Sequence, residues 1–192
     1  SYGAIRYASS AAGVETVNSS GVITPVSVGT AVITATQAAV AGVNAQATQT
    51  YTLTVNALPT PTLTFSTPTS ASVTMGGSLT NAATSNYTGG SYGAISYASS
   101  ATGVATVSSS GVITPVSVGT AIITATQAAV AGVNAQATQT YTLTVNALPT
   151  PTLTYATPTS ASVTMSGTLT NAATSNYTGG SYGAISYASS AT

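Results

Sequence analysis

The sequence predicts an all-β protein of tandem antiparallel β-sandwiches. Three observations carry this: a near-perfect repeat of 90 residues, strict two-residue alternation in the apolar segments, and no helical period of useful length. Residues 1–102 fall on residues 91–192 with nine differences in 102 pairs. A period of 90 residues exceeds the roughly 20–50 residues of most solenoid repeats and matches a small independent domain. Each repeat is therefore expected to own a core. On this reading 1–59 is the C-terminal part of one sandwich, 60–149 a complete one, and 150–192 the N-terminal part of the next.

The elements of the complete unit can be justified in order. "ASVTM" (71–75) and "SLTNAAT" (78–84) read as strands divided by Gly76-Gly77, a turn signal. "GAISYAS" (93–99) alternates, with Ile95 and Tyr97 inward. "VATVSSSGVIT" (104–114) reads as two short strands around a Ser-Ser-Gly turn, Val107 in the first and Gly111 free to take positive φ. "TAIITAT" (120–126) places Ala121, Ile123 and Ala125 on one face. "TQTYTLTV" (138–145) alternates throughout, with Tyr141, Leu143 and Val145 on one side and threonines on the other. About seven short strands with turns between them predict an antiparallel sandwich. Its candidate core is Ile95, Tyr97, Val107, Ile123, Tyr141, Leu143 and Val145.

These residues carry a family resemblance. "YASSATGVATVSSSGVITPVSVGTAIITAT" (97–126) resembles the bacterial immunoglobulin-like domain, group 2, through Tyr97, Ser99, Val104–Val107, Gly111–Thr114 and Gly119–Ala125. "PTSASVTMSGTLT" (158–170) is similar to that family's first strands. The resemblance implies tandem immunoglobulin-like sandwiches. It also implies a place in large bacterial surface proteins of the intimin and invasin type, where such domains act as stalks. Two departures stand out. Tyr97 occupies a place where the family usually has Trp, so its hydroxyl needs a partner, and the surface carries almost no charge.

Composition excludes more than any motif includes. The chain has Arg6, Glu15, and no other Lys, Arg, Asp, Glu, His or Cys. General acid–base catalysis needs titratable groups near working pH, and a Ser or Thr nucleophile needs a base beside it. No enzyme is expected, and no cofactor. Zinc wants Cys, His or carboxylate, and calcium several carboxylates, so no metal is expected. Without a basic patch nucleic acid is not an expected partner, and no apolar run approaches the about 18 residues of a membrane span. Near-zero net charge favours association. That suits an assembled extracellular or cell-surface material better than a freely diffusing protein. Disorder is set aside, since 43% hydrophobic residues with strict alternation are unlike a disordered segment.

"VNALPTPTLT" recurs at 55–64 and 145–154. Its prolines, Pro59, Pro61, Pro149 and Pro151, fix their own φ and extend the residue before each, which predicts a short, stiff inter-domain joint. The 39 threonines read as β-formers with neutral solvent-facing hydroxyls; O-glycosylation and ice or glycan binding are the alternatives. Tyr87 and Tyr92, in "SNYTGGSY", are candidates for a surface contact or for packing over the sandwich end. Asn18-Ser19-Ser20, Asn86-Tyr87-Thr88 and Asn176-Tyr177-Thr178 fit the N-glycosylation pattern. Arg6 and Glu15 become Ser96 and Ala105 together one repeat later, which predicts an ion pair between them.

The function expected from these features is that of a structural repeat in a long extracellular bacterial fibre, sheath or adhesin stalk, acting as a spacer and assembly module. Its expected partners are neighbouring repeats or copies of itself. The alternative is a repetitive glycan- or ice-binding adhesin module, with glycan as partner. Alone, 1–59 would expose Ile5, Tyr7, Ile23 and Tyr51, and 150–192 would expose Tyr155, Val163, Leu169 and Ile185. One sandwich is therefore expected to form from 1–59 and the 150–192 segment of an adjacent copy. Either the sequence is a window on a longer continuous chain, or neighbouring copies complete each other head to tail. The shared first and last twelve residues favour the window.

Overall fold

The computed structural model describes residues 2–67, 69–88, 90–157, 159–177 and 182–190, and all their regular structure is β. The first copy of the repeat holds β1 (Ile5–Ser9), β2 (Glu15–Val17), β3 (Ile23–Pro25), β4 (Gly29–Gln37) and β5 (Ala47–Val55). The middle copy holds β6 (Leu63–Phe65), β7 (Ser70–Thr74), β8 (Leu79–Thr80), β9 (Ala83–Ser85), β10 (Ile95–Ser99), β11 (Ala105–Val107), β12 (Val112–Pro115), β13 (Gly119–Gln127) and β14 (Ala137–Asn146). The last copy holds β15 (Leu153–Tyr155) and β16 (Ala173–Ser175).

The middle copy is an immunoglobulin-like sandwich. One layer is a four-stranded sheet in the order β10-β13-β14-β7; the other is built from β11-β12-β8 and β6-β9. The alternating strands set its register. β13 and β14 pair antiparallel with Ala121 opposite Leu143 and Ile123 opposite Tyr141, so the inward residues of both strands share one face. Opposite them lie Leu63, Phe65, Ala83, Ala105 and Ile113, and Val73 joins the core from β7 beside β14. The Phe65 ring meets the edge of Tyr141 at 4.8 Å between centroids and 75° between planes, a favoured aromatic geometry.

Two features depart from the sequence reading. Not every pair is antiparallel: β7 runs parallel to β14, Val73 opposite Val145. The chain pairs first with β9 through β6 and then passes to the other sheet, where it joins the free edge of the last strand. The segment 78–84 is also not one strand. Asn81 and Ala82 separate β8 from β9, and Asn81 turns inward instead of continuing the alternation. Its side chain accepts from Ser66 Oγ at 2.8 Å and the Thr67 N–H at 3.3 Å, and donates to the Thr67 carbonyl at 3.3 Å. A buried amide is tolerated where its donors and acceptors are met.

The turn residues behave as their chemistry requires. Gly111 has φ 78° and lies against the backbone of Ala82. Gly76 has φ 78°, and Ser166, its counterpart in the last copy, is held at φ 62°.

Candidate assembly surfaces

The predicted core residues lie where alternation puts them. Ile123, Tyr141, Leu143 and Val145 are buried; Ile95, Tyr97 and Val107 are half-buried and pack on that core. The Tyr97 hydroxyl has its partner: it accepts the Ala83 N–H at 2.8 Å, tying β10 to β9. Tyr187 repeats this contact with Ala173 in the last copy at 3.0 Å. Burial pushes the Tyr141 phenol above its ordinary pKa; nearby Asn81 lowers it in part, and Tyr97 adds to the rise. The Tyr141 hydroxyl nevertheless has no hydrogen bond of sound geometry.

The same residues meet different surroundings from one copy to the next. Tyr141 is 2% exposed, and Tyr51, one repeat earlier, is 51% exposed. Val73 is 8% exposed and Val163 56%; Leu63 is 5% and Leu153 53%. Phe65 is buried and Tyr155 exposed. Ile5 and Leu169 are also exposed, whereas Tyr7, Ile23 and Ile185 are half-buried. Pairing follows covering. "SASVT" forms β7 at 70–74 beside β14, but the identical residues 160–164 form no strand, and neither do Leu169-Thr170 or 185–189. In the first copy Tyr51 is thus exposed and Leu53 and Val55 are half-buried, while Ala31 and Ile33 of β4 stay buried, and the far edge of β5 is unpaired. The last copy holds the counterpart of the segment that pairs with the corresponding edge in the middle copy.

At the joint the four prolines differ. Pro61 is buried, whereas Pro59, Pro149 and Pro151 are exposed. The Pro59 carbonyl accepts the Ala135 N–H at 2.9 Å. Just beyond Pro61, Thr62 and Asn86 clasp each other: the Thr62 N–H donates to Asn86 Oδ1 at 2.7 Å, and the Asn86 N–H to the Thr62 carbonyl at 3.2 Å. Thr152 and Asn176 repeat the side-chain bond at 2.8 Å. Asn86 and Asn176 thus anchor the chain after the joint, a role their glycosylation pattern did not reveal; Thr178 of the third sequon lies outside the described residues. Asn18 Oδ1 likewise accepts the N–H groups of Ser20 and Val22.

Tyr87 and Tyr92 meet at 5.0 Å between ring centroids, tilted by 60°, and Tyr177 and Tyr182 repeat the pair at 5.0 Å and 49°. The first pair borders a cleft of about 430 Å³ that also includes Ile95 and Gln127. Gln127 is buried; it accepts from Ser85 Oγ at 2.6 Å and donates to the Tyr87 carbonyl at 3.2 Å. The outer face of the four-stranded sheet carries rows of uncharged hydroxyls, interrupted by the exposed Ile122 opposite Thr142. Thr120 lies opposite Thr144, Thr124 opposite Thr140 and Thr126 opposite Thr138, with Ser70 and Ser72 of β7 alongside.

The expected ion pair is not formed. Arg6 is exposed on β1, between exposed Ile5 and half-buried Tyr7, whereas Glu15 is fully buried. Both Glu15 carboxylate oxygens lack any hydrogen-bond partner. Parity is the reason: Glu15 occupies the position of Ala105, a core residue with no exposure, and shares a face with Val17. The sequence reading also missed Asn134, fully buried, whose side chain donates to the Ala128 and Ala135 carbonyls at 3.0 and 2.8 Å. The available signal was an Asn interrupting an apolar stretch.

Among the described residues no group of three or more His, Cys, Asp or Glu is gathered, and no helix is long and apolar enough to cross a membrane.

No curated protein matches the chain. Among solved structures it is similar to domains 1–6 of the surface layer protein SbsC, at 23% identity and a TM-score of 0.42, covering 79% of this chain and 21% of that one. Domains 4 and 5 of the S-layer protein SbsC align at 22% identity and a TM-score of 0.40, over 74% of this chain and 70% of that one. Drosophila N-cadherin EC1-4 aligns at 17% identity and a TM-score of 0.34, over 75% of this chain and 41% of that one. The chain thus spans about a fifth of the first of these structures. The model of the bacterial Ig-like domain (group 2) matches residues 59–138. That span takes in β6 to β13 and the start of β14, the buried Leu63 and Phe65, and the turn at Gly111. Residues 59–138 are a bacterial Ig-like domain of group 2.

Proposed function

We propose that this chain is a structural, non-enzymatic segment of a long extracellular bacterial fibre, sheath or adhesin stalk. Residues 1–59, 60–149 and 150–192 act as successive parts of a row of sandwiches. The observation that carries this reading is the 90-residue repetition with nine changes in 102 pairs. A spacer needs only length and a sound core, which near-identical copies supply. Other features support it. The surface is nearly uncharged, and the joint carries prolines and the Thr62–Asn86 clasp. Neighbouring repeats or copies of the chain are the partners, at the cell surface or outside the cell.

Strands of six to eight residues at about 3.3 Å each, with end loops, make each unit roughly 35–45 Å long. Polypeptides carrying increasing numbers of the 60–149 repeat should lengthen by that increment in electron micrographs and small-angle scattering. A maximum dimension that grows much more slowly than repeat number would defeat the spacer reading. The tyrosine cleft favours a second reading, a glycan-binding module, because the pair and its hollow recur in both copies that contain them. Titration with polysaccharides against Tyr87→Ala and Tyr92→Ala separates the two.

A further inference from the structure

We propose that Tyr87 and Tyr92 form an oxidative cross-linking site, at which a one-electron oxidant joins the two rings into dityrosine. This modification goes beyond the spacer reading and does not rest on it. The fold fixes both flanks of the loop. On one side the Tyr87 N–H donates to Ser85 Oγ at 3.0 Å, and the Tyr87 carbonyl accepts from Gln127 Nε2 at 3.2 Å. On the other, Gly93 lies so close to the Ala128 carbonyl that a side chain there would overlap it, and the Ala128 N–H donates to the Ala94 carbonyl at 3.2 Å. Both flanks are thus tied to one short stretch, Gln127-Ala128, and the rings between them are brought together. Their centroids lie 5.0 Å apart with planes tilted by 60°, within the contact range of aromatic pairs. Tyr177 and Tyr182 repeat this at 5.0 Å and 49°, with the Tyr177 N–H again on the serine hydroxyl, Ser175 Oγ, at 3.1 Å. Among the described residues these are the two places where tyrosine rings meet. Tyr87 and Tyr92 are half-buried: open to electron loss, yet held so that two radicals stay in contact. Holding two reactants in contact makes their coupling effectively unimolecular.

Composition points the same way. The chain has 11 Tyr and no Cys, Lys, His or Trp, so disulfides and lysine-derived cross-links have no residues to form from, and phenols are the aromatic groups open to oxidation. Each phenol gives up one electron and its hydroxyl proton, leaving a phenoxyl radical with spin on the ring carbons beside the C–O bond. Two such carbons join in a new C–C bond, and the hydrogen on each moves to its oxygen to restore the aromatic rings. The pair has then lost two electrons and two protons. Hydrogen peroxide acting through a haem peroxidase is an oxidant of the required class; it takes up both and becomes two waters. The bond would close the loop beside the Thr62–Asn86 clasp and stiffen the end of the sandwich next to the joint.

The test oxidises the full polypeptide at high dilution with a photogenerated ruthenium(III) tris-bipyridyl complex, which takes one electron per ion and works equally on folded and unfolded chains. The expected product is a monomer with dityrosine fluorescence, lighter by two hydrogens for each linked pair. Peptide mass spectra should join Tyr87 to Tyr92 and Tyr177 to Tyr182. Tyr87→Phe with Tyr177→Phe keeps every ring and removes one hydroxyl from each pair; it should melt as the parent does and lose this product. Tyr92→Phe with Tyr182→Phe, which alters the other member of each pair, should do the same. Unfolding in urea before oxidation should abolish the preference for these pairs. Linkage spread over the other tyrosines, linkage chiefly between molecules, a yield at 87–92 unchanged by unfolding, or a product that survives both Phe variants would each overturn the proposal.

Discussion

Replacing Glu15 by Ala should stabilise the first copy of the repeat. The carboxylate is fully buried with two orphaned oxygens, and each buried acceptor without a partner costs about 1–3 kcal/mol. The substitution also removes one methylene, worth about 0.8 kcal/mol when buried, so the gain is partly offset. The net expectation is about 1–3 kcal/mol in favour of Ala. The middle copy shows that Ala fits: Ala105 is fully buried at the same register, opposite Pro115 as Glu15 is opposite Pro25. Hydrogen exchange of the β2 and β3 amides, read with and without Arg6→Ser, is the assay. Slower exchange in Glu15→Ala and no coupling between the two substitutions are expected, because a coupling energy appears only where residues interact. Faster exchange in Glu15→Ala, or coupling well above about 0.5 kcal/mol, would refute the reasoning and restore an Arg6–Glu15 interaction.

Three further outcomes are expected. Tyr141→Phe should raise the stability of the middle sandwich by about 1 kcal/mol, since the hydroxyl is buried without a sound partner; urea melts that show a loss of that size would place the hydroxyl in a working hydrogen bond with Asn81. The folded-state pKa of Tyr141 is raised above 10.0, so the protonated phenol favours the folded form. That contribution is complete below the unfolded value and is lost as pH rises through the folded one. Stability should therefore fall above about pH 10 in the parent and fall less in Tyr141→Phe, and identical pH profiles would contradict this. Gly111→Ala should cost about 2–5 kcal/mol, combining a left-handed φ of 78° with a Cβ placed 2.9 Å from the Ala82 Cα; a melting temperature within a degree or two of the parent would show that this turn can relax.

Much of this protein is legible in its sequence because strand alternation is a local property. Tyr141, Leu143 and Val145 alternate with threonines, and they are buried in the sheet for which that spacing prepares them. The 90-residue period, the Gly111 turn and the family resemblance are equally local, being carried by letters close together or repeated. Function classes were bounded by composition alone, since chemistry that needs His, Cys or clustered carboxylates has no residues to act with.

Tertiary structure decided whatever depends on a distant partner. Leu63–Phe65 becomes β6 only by pairing with Ala83–Ser85. "SASVT" is a strand at 70–74 and none at 160–164, with the same letters and the same propensity. The difference is the β14 edge, which lies about seventy residues further along the chain from β7. Asn81 looks like a surface amide in the sequence and is buried in the fold, because the fold brings the Ser66 hydroxyl and the Thr67 N–H and carbonyl to it. Glu15 looked like half of an ion pair because charge was the only property the sequence showed to vary with Arg6. Its strand parity, fixed by pairing with β3, turns it into the core while Arg6 stays in water. A strand's period is written in neighbouring residues, but which face is buried, and whether the strand forms at all, depends on what covers it.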